Sequence, residues 1–166
     1  MVTVAVAVTA CGDAGADSSS VAENVFSGIK APAGWMSLPA VADVMRDAAV
    51  KMNAKVIGRE AWGEPSRGCY AVWMKLGGSG ASADVVVSSF GGTDAVKAGG
   101  AILTSDVVKP TAVPGTLSLS WKRGVYAGKL RARIEQDAVT VLSCFANDRE
   151  PTSCEAGCGA LLGALP

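Results

Sequence analysis

The sequence predicts an α+β domain, an antiparallel sheet of about six strands with helices mainly on one face. Three observations lead there. Apolar and polar residues alternate with period two in several short segments, most plainly Thr116-Leu117-Ser118-Leu119-Ser120-Trp121-Lys122, as a sheet with one wet face requires. These segments come in runs bracketed by helical patterns, which argues against parallel βαβ units. The 166 residues are 49% hydrophobic with zero net charge, enough to build one core in one domain.

That domain is expected over residues 34–166. Ser37-Leu38-Pro39 opens a helix, with Ser37 as N-cap and Pro39 in the first turn. Val41, Val44, Met45, Ala48 and Met52 then recur at helical spacing, and Asn53 is a stop. Residues 55–63 read as a strand, 64–68 as a turn, and 69–76 as a second strand in which Tyr70, Val72, Met74 and Leu76 share a face. Gly77-Gly78-Ser79-Gly80 breaks the chain, and the pattern then repeats. Val50-Lys51 matches Val96-Lys97, Val56-Ile57 falls on Ile102-Leu103, and after one extra residue Gly68 falls on Gly115 and Lys75 on Lys122. These matches suggest an internal duplication of a helix–strand–strand (αββ) unit.

The second helix, residues 83–98, holds three consecutive valines and Gly91-Gly92, so a strand over 84–88 competes with it. Residues 101–108 and 115–122 form a hairpin around a turn bounded by Pro110 and Pro114. Strands over 126–135 and 138–145 follow, joined tightly at Gln136-Asp137. A helix from Pro151 or Thr152 through Leu162 closes the domain. Its Ala156, Gly157, Gly159 and Ala160 are small enough to let it lie close to a sheet.

Composition excludes several chemistries. There is no histidine, which removes histidine-based zinc sites and both Ser-His-Asp and Cys-His catalysis. Fifteen basic residues against fifteen acidic ones leave no surplus for nucleic acid. Gly78-Ser79-Gly80-Ala81-Ser82-Ala83 has the spacing of a dinucleotide fingerprint, but it follows one arm of a hairpin, and Leu103 stands where an acid about 20 residues on is needed. Ser27-Gly28-Ile29-Lys30 fits S-x-x-K, but no Ser-Asp-Asn or Lys-Thr-Gly accompanies it. Asp43, Asp47, Glu60 and Glu64 read as solvated carboxylates. No cofactor, metal or catalytic residue is expected.

Five cysteines are an odd number. With Cys11 set aside, Cys69, Cys144, Cys154 and Cys158 remain, an even set that suits disulfides in an oxidising compartment. Cys154 and Cys158 lie four apart on a helix, too far apart to bond to each other. Each is therefore expected to reach back to a strand, with Cys144–Cys154 closing a short turn and Cys69–Cys158 joining the two halves.

Cys11 is set aside because of what surrounds it. Residues 2–10 are apolar and end in Val8-Thr9-Ala10-Cys11, after which residues 12–20 are small and polar. Val8-Thr9-Ala10-Cys11 resembles a bacterial lipobox, which implies a lipoprotein. Residues 1–10 would then be the remnant of a signal peptide, Cys11 the lipidated residue, and 11–33 a flexible tether. The first basic residue is Lys30, so a short basic segment upstream of Met1 is expected to complete the signal. The competing reading makes residues 2–8 an alternating first strand, which leaves 12–20 without a role. No stretch approaches the roughly 20 apolar residues of a membrane span, so the lipid is the expected membrane attachment. The layout also resembles small PsbP/Mog1-like α+β lipoprotein domains. That resemblance implies a binding or assembly role without catalysis, and no residue is carried over from it.

The candidate contact surface is a basic hairpin with two tryptophans. Lys122, Arg123, Lys129, Arg131 and Arg133 lie within twelve positions, and the last three alternate with Leu130, Ala132 and Ile134. They would form a positive stripe on an open sheet face. Trp62 and Trp73, on the two arms of one hairpin, would join it if they face away from the helices. The expected function is a non-catalytic, lipid-anchored domain of the bacterial cell envelope that binds an envelope protein or an anionic cell-wall component. An inhibitor or immunity lipoprotein that blocks an envelope enzyme is the alternative, and a hydrolase a more distant one.

Overall fold

The computed structural model describes residues 29–51, 53–78, 82–91, 102–147 and 154–165. The expected signal segment, Cys11, residues 12–28 of the expected tether, the end of the second expected helix and the 151–153 start of the last expected helix lie outside the described residues. Within them, the α+β class and the antiparallel sheet are as the sequence predicts. Strands β1 (Met36–Ser37), β2 (Lys55–Glu64), β3 (Cys69–Gly77), β4 (Ile102–Leu103), β5 (Gly115–Arg123), β6 (Tyr126–Ile134) and β7 (Ala138–Asn147) form one sheet in the order β1-β2-β3-β7-β6-β5-β4. Helices α1 (Pro39–Lys51), α2 (Ala83–Gly91) and α3 (Glu155–Ala164) pack on it.

Seven strands replace about six because Met36–Ser37 adds a two-residue strand at one edge. At one edge Ser37, expected as a helix cap, instead pairs with Trp62 in β1. Leu38 takes over the helix start: its N–H donates to Ala61 O (2.8 Å), and its carbonyl accepts from Val41 and Ala42. Asn53 ends α1 as expected, in the left-handed conformation (φ 60°), with its N–H donating to Val50 O. At the other edge the expected strand over 101–108 shrinks to Ile102–Leu103. The Thr104 N–H still donates to Ser120 O, but the Ser105 hydroxyl replaces a backbone carbonyl in accepting from the Ser120 N–H. The chain then leaves the ladder, and Val107 packs into the core.

One sheet face carries α1 and α2. Under α1, Ala42 meets Ala61 and Val72, flanked by Leu38, Val41, Met45 and Met74, while Arg59 reaches up to pair with Asp43 at 2.7 Å. Val86 of α2 joins Leu117, Leu119, Trp121, Leu130, Ala132, Ile134, Val139 and Val141 in the largest cluster. The Trp121 indole N–H donates to the buried Ser143 hydroxyl at 3.1 Å, which satisfies both polar groups. Residues 83–91 are helical, so the competing strand over 84–88 does not form. Burial overrides the β preference of its valines: Val86 is 4% exposed. The units α1-β2-β3 and α2-β4-β5 each run from an edge of the sheet inward to the central pair β7-β6.

The other face carries α3, so the helices do not all share one side. The reason is the placement of the cysteines. Cys69, Ala71 and Trp73 of β3 and Ala146, Cys144 and Leu142 of β7 are register partners on that face, and α3 covers them. The disulfides are Cys69–Cys154 and Cys144–Cys158, with Cα–Cα distances of 5.5 and 5.6 Å. All four cysteines are bonded, in the opposite pairing to the one expected. Chain direction explains the difference. From the end of β7 the chain arrives above Cys69 and Ala146, so Cys154 meets Cys69 first. Four helical residues then advance about 6 Å, and two strand residues about 6.7 Å, which brings Cys158 over Cys144.

Candidate functional site

Cross-strand register defines rows on the α3-bearing face. One row runs Cys69, Ala146, Ala127, Lys122; the next Ala71, Cys144, Lys129, Ser120; the next Trp73, Leu142, Arg131, Ser118; and the last Lys75, Thr140, Arg133, Thr116. Helix α3 lies over the β3 and β7 ends of the first three rows. Leu161 and Leu165 pack there with Trp62, Trp73, Leu142 and Cys144. The β6 and β5 ends, together with the last row, carry five cations and four hydroxyls. Strands β3, β5, β6 and β7 carry no acidic residue, and Glu135 and Asp137 lie in the turn between β6 and β7.

The expected stripe therefore exists in part. Lys122, Lys129, Arg131 and Arg133 share this face, with both lysines exposed and both arginines half-buried. Arg123, one residue beyond Lys122, falls on the opposite face because side chains alternate along β5. Trp62 and Trp73 are excluded from the contact surface. They lie on this face but beneath α3, 7% and 5% exposed, and serve as its hydrophobic seat. Ile29, from the expected tether, and Trp35 pack against the same cluster.

The arginines also have structural partners. An Arg131 Nη1–H donates to Leu162 O (3.1 Å) near the end of α3, where cations complement exposed carbonyls. Arg133 Nε lies 3.2 Å from Glu135 Oε1, but the alignment is not that of a hydrogen bond, and Nε is shielded from solvent without one. Lys122 and Lys129 are the exposed cations of this face.

Sequence reasoning missed Lys75 and Thr140. Lys75 stands opposite Thr140 and in the same row as Arg133, so it extends the positive surface across β7. The alternation of β3 separates Lys75 from the apolar Tyr70, Val72 and Met74, which hints at its side. Its neighbours follow only from strand order.

Along the outer edge of β5, beyond Ser120, lies an open groove of about 450 Å³ lined by the 106–111 loop and by Thr116, Leu117 and Ser118. Lys109 pairs with Asp84 in the first turn of α2, which ties this loop to the helix-bearing side. Among the described residues no three His, Cys, Asp or Glu side chains stand together as metal ligands, and no helix is long and apolar enough to cross a membrane. No protein-family model, curated protein or solved structure matches the chain.

Proposed function

We propose that this is a non-catalytic, lipid-anchored domain of the bacterial cell envelope that holds an acidic protein or anionic cell-wall component on the positive face of its sheet. The observation that carries this reading is the convergence of Lys75, Lys122, Lys129, Arg131 and Arg133 on one face, with hydroxyls between them. Several cations on a rigid sheet attract an anionic chain and orient it, and hydroxyls add hydrogen bonds without charge. The disulfides support an oxidising compartment, and the Val8-Thr9-Ala10-Cys11 motif supports the lipid anchor. We also read the two halves, each running inward from an edge, as the αββ duplication that the sequence suggests.

The test is binding of fluorescent poly-L-glutamate, read by anisotropy. Lys122→Glu with Lys129→Glu is the variant of choice because both residues are exposed, whereas Arg131 also holds α3. The expected result is a loss of affinity of at least about tenfold, steeper at low salt, with the melting temperature unchanged. Equal affinity in the variant would remove the face from the proposal.

A further inference from the structure

Sheet edges present unpaired backbone groups, and the edge at β5 is only partly covered. The Ser120 carbonyl accepts from Thr104, and the Ser120 N–H donates to Ser105 Oγ, so both main-chain groups of Ser120 point outward from the sheet. The β5–β6 register is unbroken from Gly115 to Arg123. By the two-residue alternation, the N–H and C=O of Ser118 and Thr116 also point outward. No described strand pairs with them, because β4 reaches only Trp121 and Lys122. They face the open groove, whose far wall is the loop with Val108 (81% exposed) and Pro110.

We propose that an extended acidic segment of a partner protein adds to this edge as an eighth strand. The proposal rests on the binding role of the positive face and names the chemistry of its partner. A residue opposite Ser118 or Thr116 would direct its own N–H and C=O toward β5 and its side chain onto the positive face. That side chain would stand about 10 Å, two strand spacings, from the β6 backbone, close enough for a carboxylate to meet a long cationic side chain over the short Ser118 and Thr116. Residues between them would turn to the other side, toward Leu117 and Val108. The fitting segment thus alternates acidic and apolar residues. A second copy of this chain is the weaker occupant, since edge-to-edge pairing would join two positive faces.

The alternation supplies a test that keeps charge and composition constant. The probe is the peptide acetyl-Glu-Val-Glu-Val-Glu-amide, titrated against the full domain and followed by calorimetry. In the proposed register the Glu N–H groups face β5 and the Val N–H groups point away from it. N-methylation of the glutamates should weaken binding at least about tenfold, and N-methylation of the valines should change it less than about twofold. Lys129→Glu should weaken the parent peptide, and the lysine analogue of the peptide should not bind.

If both methylated peptides bind like the parent, or lose equally, strand addition is wrong. If the parent peptide fails while poly-L-glutamate binds, strand addition is likewise wrong but the positive face stands. Failure of both probes removes the proposed function as well.

Discussion

Gly157 and Gly159 sit two residues apart in α3 and face opposite constraints. A Cβ built on Gly157 would lie 2.8 Å from Cζ2 of the Trp35 indole, whereas one on Gly159 would meet nothing within 4 Å. Gly157 is what lets Trp35 lie against the helix, and Gly159 only adds backbone freedom to the unfolded chain. Gly157→Ala should therefore destabilise the domain by about 1–3 kcal/mol through overpacking. Gly159→Ala should stabilise it by about 0.5–1 kcal/mol through helix propensity. Urea unfolding of the two variants checks both signs, and the same sign for both would refute the packing of Trp35 on α3. The small residues of this helix were legible in the sequence as a group. Which of them makes contact depends on the angle at which α3 crosses Trp35.

At the scale of elements, α3 is held by covalent bonds and an apolar seat. In the chain-entropy estimate, Cys144–Cys158, 14 residues apart, contributes about 3 kcal/mol, and Cys69–Cys154, 85 apart, about 4.5 kcal/mol. Cys69→Ser with Cys154→Ser should therefore lower stability more than Cys144→Ser with Cys158→Ser, by about 1–2 kcal/mol in denaturant unfolding. Equal losses would show that local strain, not loop closure, sets the contribution. Reduction of both bonds should also loosen α3 from Trp62 and Trp73 and move tryptophan emission to longer wavelength below the melting temperature of the sheet. Unshifted emission would mean that Leu161 and Leu165 suffice to seat the helix. Strands were legible wherever one face is wet, as in β5. The short β4 was not, because its end depends on Ser105 taking a backbone position beside Ser120.

For the whole molecule, the proposed envelope role makes a covalent prediction. Protein expressed from its natural gene and extracted from membranes should carry a diacyl or triacyl group on Cys11. It should gain the mass of four hydrogens on reduction, since two disulfides open. An unprocessed chain would overturn the anchor, and a gain of two hydrogens would remove one bond. The α+β class, the antiparallel pairing, the bonded state of four cysteines and the positive stripe on β6 all follow from local pattern. Period-two alternation, turn residues and residue counts act over a few positions and leave a mark in the sequence. Partners more than one element apart do not. Which cysteine meets which, the burial of Trp62 and Trp73, the loss of Arg123 to the other face and the gain of Lys75 depend on strand order and on the side where α3 docks. These are set by how apolar surfaces from distant segments fit together, and folding settles them for the whole sheet at once.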